Sequence, residues 1–291
     1  MREQTLIYEL PVSFFGRAAA LYAGAEYDQP AYDAVFEQRQ PGRIFVDDAE
    51  NPSAALLCRT YEYFIAGGFN TALHRFICDS PTGLNIFEQH FGYVVFDAAW
   101  QAALLRDLPL GVIVRRNFQW EDGMPIPDAP LPEGAALVRA DRLALLEQID
   151  AALPEPFLRI FWGDRAALFD GGFTWCAMAN DQIASVMYPV SISQRGVIVG
   201  IDTIEAFQRQ GYGLAVSAAF LQEAVSRGLK PIWDCDGDNI RSAALAKKLG
   251  FREHAPFHEL YYADRKPLTG RGVWQRAETR PDGVIVWESA S

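Results

Sequence analysis

The residues best placed to do chemistry are Gln208-Arg209-Gln210-Gly211-Tyr212-Gly213-Leu214. They fall between an apolar, β-prone run ending at Thr203 and a run of good helix formers. At such a junction consecutive backbone N–H groups and the positive helix end can cradle a diphosphate. Gly211 and Gly213 lack a Cβ and permit close backbone approach, and Arg209 adds a cation. The same spacing also makes an ordinary strand-to-helix turn, so it does not identify a ligand alone. It is not a P-loop, because no Gly-x-x-x-x-Gly-Lys-Ser/Thr run is present, nor a dinucleotide fingerprint, because position 216 is Val.

Four carboxylates stand near the ends of two adjacent predicted strands: Asp202 and Glu205 after one, Asp234 and Asp236 around Cys235 after the other. Surface solvation is the ordinary fate of each. Asp202 is taken as the candidate general base. Cys235 reads as a small buried residue, with no His placed to activate it. Cys58, Cys78 and Cys176 form no Cys-x-x-Cys pair. Pro256 breaks any helix that would put His254 and His258 on one face, so no metal is expected.

The elements that position these groups follow from periodicity. Helices are expected over Val12–Gly24, Asp97–Arg106, Asp141–Leu153 and Asp164–Phe169. Two more follow at Gly213–Arg227 and Asn239–Leu249, closed by Gly228 and Gly250. A hairpin is expected from Gly42–Asp47 and Ser53–Cys58, with short strands at Tyr93–Phe96 and Val112–Val114. Phe173–Met178, Gln182–Tyr188 and Gly196–Thr203 predict an antiparallel meander, and Pro231–Cys235 and Phe257–Tyr262 later strands. Glu121–Gly134, with four prolines and two glycines, reads as an inter-domain linker. The expectation is α/β (α+β) with an N-terminal domain over 1–130, a second over 131–265 and a tail over 266–291.

The order β-β-β-α-β-α in the second half, the Gln208-x-x-Gly211-x-Gly213 turn, and Asn239 opening a helix that ends Leu249-Gly250-Phe251 together resemble the GNAT superfamily of N-acetyltransferases. Trp233-Asp234-Cys235, Ser242 and Ala246-Lys247-Lys248-Leu249-Gly250-Phe251 resemble its zwittermicin A resistance type. Phe161-Trp162-Gly163-Asp164 and Gly42–Asp47 are similar to that type as well.

The resemblance implies a GNAT fold with a mixed, mostly antiparallel sheet flanked by helices. It also implies transfer of an acetyl group from acetyl-CoA to a small-molecule amine, such as an aminated natural product. Thr203 would pair with the coenzyme, the amides from Arg209 to Leu214 would hold its pyrophosphate, Asn239 would meet the pantetheine arm, and Gln208 and Ser242 are further coenzyme-binding residues. Asn239 equally fits a helix N-cap. Where many relatives carry a Tyr acid, this chain has Ala246. That leaves another acid, water or direct thiolate departure, since a thiol pKa near about 8.5 makes a fair leaving group. A non-catalytic acyl-CoA-binding module is the alternative. The front half permits a second GNAT-like copy without the glycine turn.

Bulk properties set the context. At 291 residues, with 50% hydrophobic and 13% aromatic residues, the chain can build two cores. A net charge of −11 and a pI near 4.9 disfavour nucleic acid, including aminoacyl transfer from tRNA, and would steer cationic amines. With no basic and apolar leader and no apolar run of about 18 residues, a cytoplasmic protein without membrane contact is expected.

Overall fold

The computed structural model describes residues 5–24, 29–60, 62–79, 92–154, 157–262 and 274–289. The chain divides into two compact units, one of Met1–Glu26, Pro41–Ile113 and His258–Ser291, the other of Tyr27–Gln40 and Val114–Phe257.

In the first unit, β1 (Leu6–Leu10) and a 3-10 turn lead into α1 (Gly16–Tyr22). Then come β2 (Arg43–Val46), β3 (Ala54–Cys58), β4 (Glu62–Gly67), α3 (Thr71–Asp79), β5 (Gly92–Val95) and α4 (Ala98–Asp107). The expected hairpin is β2–β3, paired from Arg43–Cys58 to Val46–Ala55. Asp47 builds its turn, its carboxylate accepting from the N–H groups of Ser53 and Ala54 at 2.9 and 3.0 Å. β3 reads Ala-Ala-Leu-Leu-Cys and is buried on both faces, as a central strand must be. The parallel pair β4–β5 is zipped along the whole of β5, Glu62–Gly92 through Ile65–Val95.

The second unit holds α2 (Gln29–Phe36), the end of β6 (Leu110–Gln119), β7 (Ala135–Arg139), α5 (Leu143–Ala152), α6 (Phe157–Trp162) and α7 (Arg165–Gly171). There follow β8 (Trp175–Ala179), β9 (Gln182–Ile192), β10 (Gly196–Thr203), α8 (Tyr212–Ser226), β11 (Lys230–Asp236), α9 (Ile240–Leu249) and the start of β12 (Arg252–Tyr262), whose end from His258 on belongs to the first unit. Within this unit the strand order is β6-β11-β10-β9-β8-β7. Its core gathers Trp162, Phe173, Val186, Met187, Phe220, Trp233 and Leu249. The succession of a strand, helices, three antiparallel strands, a helix, a parallel strand, a helix and a strand thus occurs twice in the chain.

Several boundaries differ from the sequence reading. Val12–Gly24 is a 3-10 turn over Val12–Phe14 followed by the shorter α1. The proline-rich 121–134 segment lies inside the second unit, where Met124 and Ile126 pack against its core, and the division falls instead at Ile113/Val114, inside β6. β6 continues to Gln119 because Arg115–Gln119 pair with Asp236–Ile232 of β11. Of the expected tail, 266–273 and 290–291 lie outside the described residues. Within 274–289 lie β13 (Trp274–Thr279) and β14 (Ile285–Ser289), β14 pairing with β1 in the first unit.

Candidate functional site

β10 and β11 run parallel for three residue pairs only, Gly196–Lys230, Val197–Pro231 and Ile198–Ile232. Beyond Ile198, β10 stays with β9 as far as Thr203–Ser185 and, among the described residues, has no further partner on β11. A register shift against β9 falls between Ile198 and Val199, the point at which β10 leaves β11. The carbonyl of Arg195 accepts from Lys230 N–H on the β11 side, and Ile204 N–H donates to Ala184 on the β9 side. By strand alternation the backbone groups of Val199, Ile201 and Thr203 therefore face the opening.

At its end stands the 208–214 turn. Gly211 is the N-cap of α8 at φ 97°, with no side chain capping the helix. A Cβ there would meet nothing within 4 Å, so what excludes other residues is the left-handed backbone rather than crowding. Arg209 also has a positive φ of 61° and is exposed. The first-turn amides of α8 lack intrahelical partners by construction. Gly213 is packed closely: a Cβ would lie 3.2 Å from Thr203 Oγ1. Tyr212 is buried and meets Phe207 edge to face.

The polar side chains of the turn serve partly to fix it. Gln208 Nε2 donates to the Thr203 carbonyl at 3.2 Å, and Gln210 Nε2 to that of Ala206 at 2.8 Å. Arg241 Nη1 reaches Gln208 Oε1 at 3.4 Å, placing a second exposed guanidinium at the turn. The sequence reading assigned Arg241 nothing; its place just after the Asn239 cap was the available signal.

Asn239 is an N-cap, its Oδ1 accepting from Ser242 N–H at 3.1 Å. Ser242 Oγ accepts from Trp233 Nε1 at 2.8 Å, and the same hydroxyl hydrogen bonds with Cys235. Burial raises the Cys235 thiol pKa, with the Ser242 bond opposing, so the site holds no ready thiolate. Ala246 is fully buried in the core.

The carboxylates separate by partner. Asp234 and Asp236 are both ion-paired to Arg115, across from them on β6. Asp202 accepts from Tyr188 Oη at 2.9 Å. Tyr188 lies opposite Gly200 in the β9–β10 register, and its ring covers that glycine so closely that a Cβ would sit 2.5 Å from Cε2. Gly200, Asp202 and Tyr188 thus share the sheet face opposite the one where Ile201 and Thr203 meet Gly213 of α8. Phe161 stacks on Tyr188 at 6.1 Å. Burial, then the neighbouring Asp202 charge, hold the Tyr188 phenol well above its ordinary pKa, so it remains a donor.

In the first unit the turn from β4 to α3 is held by side chains. Asn70 Oδ1 caps α3 through Leu73 N–H at 3.0 Å, and Asn70 Nδ2 donates to Asp47. The fully buried Trp100 donates Nε1 to the carbonyls of Gly67 and Gly68, both at 3.2 Å. Among the described residues no group of three His, Cys, Asp or Glu side chains could hold a metal ion, and no helix is long and apolar enough to cross a membrane. A small cleft bounded by Arg139, Asp141, Leu168, Phe173 and Thr174 shares no residue with the opening.

The strand order, the opening between two parallel strands and the glycine-led helix beside it define a GNAT-type acyltransferase fold. The GNAT acetyltransferase family model matches residues 21–260. The chain belongs to that family and is an acyltransferase. It is 24% identical over 235 residues to the uncharacterized N-acetyltransferase YdfB of Bacillus subtilis (strain 168), covering 79% of this chain and 88% of that one. A GCN5-related N-acetyltransferase-like protein from Streptococcus suis 89/1591 superposes with a TM-score of 0.67 at 23% identity, over 84% of this chain and 97% of that one. A tandem GNAT protein from the clavulanic acid biosynthesis pathway has a TM-score of 0.57 at 11% identity, over 98% of this chain and 99% of the other.

Proposed function

We propose that this chain transfers an acetyl group from acetyl-CoA to an amine of a small molecule, and that it is of the zwittermicin A resistance type, with an aminated natural product as acceptor. The carrying observation is the departure of β10 from β11 after Ile198, beside a helix N-terminus with no side-chain cap and a left-handed Gly211. That arrangement fits the coenzyme, which supplies a thioester-activated acetyl group.

In this reading the backbone of Val199, Ile201 and Thr203 binds the pantetheine amides. The amides from Arg209 through Leu214, in Gln210, Gly211, Tyr212 and Gly213, bind the pyrophosphate. Arg209 and Arg241 add charge, and Gln208 fixes the strand end. Asn239 meets the arm through its amide group while its oxygen caps α9, and Ser242 holds Asn239, Trp233 and Cys235 in place. Asp202 takes the proton from the ammonium form of the acceptor, on the face opposite α8. Position 246 offers no proton, so proton handling rests on Asp202 and solvent. The first unit, its turn filled by Asn70 and Trp100, is a GNAT-like copy without a coenzyme site.

Calorimetry with acetyl-CoA, then thiol release across an amine panel, tests this. The wild-type chain should bind, and Arg209→Glu should weaken binding about tenfold or more. Arg209 is preferred to Gly211 because φ 97° would strain any replacement side chain at that glycine. A wild-type chain that neither binds acetyl-CoA nor releases thiol with any amine sinks the reading.

A further inference from the structure

The motif Phe161-Trp162-Gly163-Asp164 lies outside the coenzyme turn, yet the structure ties it to the place where the opening begins. The register of β9 against β10 passes from Ser191–Ile198 to Pro189–Val199, leaving Val190 as the extra residue of a bulge. Pro189, next to that extra residue, has no N–H, and by alternation from the Tyr188–Gly200 pair it faces away from β10, past the end of the β8 ladder at Met187. A bulge leaves carbonyls that a buried strand must satisfy elsewhere. Trp162 Nε1 donates to the Pro189 carbonyl at 2.7 Å. Gln40 Nε2 donates to the Val190 carbonyl at 3.1 Å and to that of Phe161 at 3.2 Å, while Ser191 Oγ lies 2.7 Å from Gln40 Oε1.

All three side chains are buried, Trp162 at 1%, Gln40 at 4% and Ser191 at 0% exposure. The neighbouring backbone is shaped for the indole. Gly163 turns the chain at φ 80° directly after it, Asp164 starts α7 by accepting from Ala167 N–H at 2.7 Å, and a Cβ on Gly171 would press on Trp162 at 3.1 Å.

We propose that Trp162 and Gln40 are positioning residues for coenzyme binding: by holding the Pro189–Val190 bulge they fix where β10 turns away from β11, and so the width of the opening that receives the pantetheine arm. The warrant is the coincidence at Ile198, the last residue paired to β11 and the last before the register shift. A bulge increases local twist and bends its strand, and β10, paired to β9 as far as Thr203, follows it. The inference rests on acetyl-CoA occupying that opening.

The test compares Trp162→Phe with Trp175→Phe in the full-length chain. Trp175 Nε1 also donates a 2.7 Å bond within the second unit, but from β8 to Glu223 of α8, and not to the Pro189 or Val190 carbonyl. Both variants should melt a few degrees lower, as the loss of one hydrogen bond, buried for Trp162 and partly buried for Trp175, and of some ring volume requires. Trp162→Phe should raise the Kd for acetyl-CoA about three- to tenfold with little change in KM for the amine, whereas Trp175→Phe should leave Kd within about twofold. Gln40→Met, which removes the bond to Val190, should move Kd in the same direction and serves if Trp162→Phe does not fold. Wild-type Kd in the folded bulge variants overturns the proposal, as does an equal loss in Trp175→Phe. A wild-type chain that does not bind acetyl-CoA instead sinks the parent reading, and the inference with it.

Discussion

Tyr188 donates its phenolic hydrogen to Asp202 Oδ2 at 2.9 Å, from the strand next to the one that carries the carboxylate. The bond does two things. It aims the carboxylate, and it gives Asp202 a phenol partner where Asp234 and Asp236 are ion-paired to Arg115. Asp202→Asn should therefore lower kcat/KM about 10²-fold or more, the usual loss for a general base, with Kd for acetyl-CoA unchanged. Tyr188→Phe should reduce kcat by a smaller factor, about tenfold, because the base stays and only its aim is lost. Steady-state kinetics and calorimetry on the two variants check this. Full activity in Asp202→Asn removes the assignment.

Asn239 separates a structural from a binding contribution. Asn239→Ala removes the 3.1 Å bond to Ser242 N–H, which should cost about 1 kcal/mol of stability as N-cap losses do. Asn239→Asp keeps a capping oxygen but replaces the amide N–H₂ with an acceptor. It should retain the wild-type melting temperature and still lose acetyl-CoA affinity. Melting curves and calorimetry together decide; wild-type affinity in Asn239→Asp would leave Asn239 as a cap alone.

The second half of the chain was legible because its signals are local. Gly228 and Gly250 close helices where the 3.6-residue period stops, and Asn239 opens one, so α8, α9 and the β8–β10 meander lie where the sequence reading put them. The β7 strand is not legible because Ala135-Ala136-Leu137-Val138-Arg139 shows no alternation of apolar and polar residue types. The proline-rich 121–134 segment was misleading: prolines exclude regular pairing, but they do not prevent packing, and Met124 and Ile126 lie against the core.

At the site, the glycine turn and Asn239 were readable as motifs. The partners Tyr188 and Arg115 were not, because each is set by strand register across 14 and about 120 residues of chain. Gly200 carried a usable signal. A glycine inside a β-branched run marks close approach, here by the Tyr188 ring.

The two copies should differ in coenzyme stoichiometry. In the first unit β4 and β5 are paired to the end of β5, α3 is capped by Asn70, and Trp100 bonds the carbonyls of Gly67 and Gly68. Asp47, which accepts from Asn70 Nδ2, also places a carboxylate where a phosphate would be repelled. Titration of the full-length chain with acetyl-CoA should give one site per chain, abolished by changes at 209–214 and unaffected by Asn70→Asp. Two sites per chain would refute the difference drawn between the units.

Glu223 gives a pH-dependent prediction away from the site. Burial alone would raise its pKa. Hydrogen bonds from Arg139 and Trp175, with the charges of Arg139 and Arg227, outweigh that and hold it below the usual carboxylate range. Arg139 Nε lies 3.0 Å from both carboxylate oxygens and Trp175 Nε1 2.7 Å from one of them. Because the folded-state pKa is depressed, the stabilisation is fully present above the unfolded-state value of about 4.3. It fades as pH falls through the lower folded-state value. Glu223→Gln should thus unfold at lower denaturant concentration than wild type at pH 7, by a margin that narrows on acidification from about pH 5 downward. Urea unfolding at pH 7, 5 and 4 measures the margin. A gap that stays constant over that range would show that the loss comes from packing, and that the ionised carboxylate does not stabilise the link between α8 and the β7 and β8 strands.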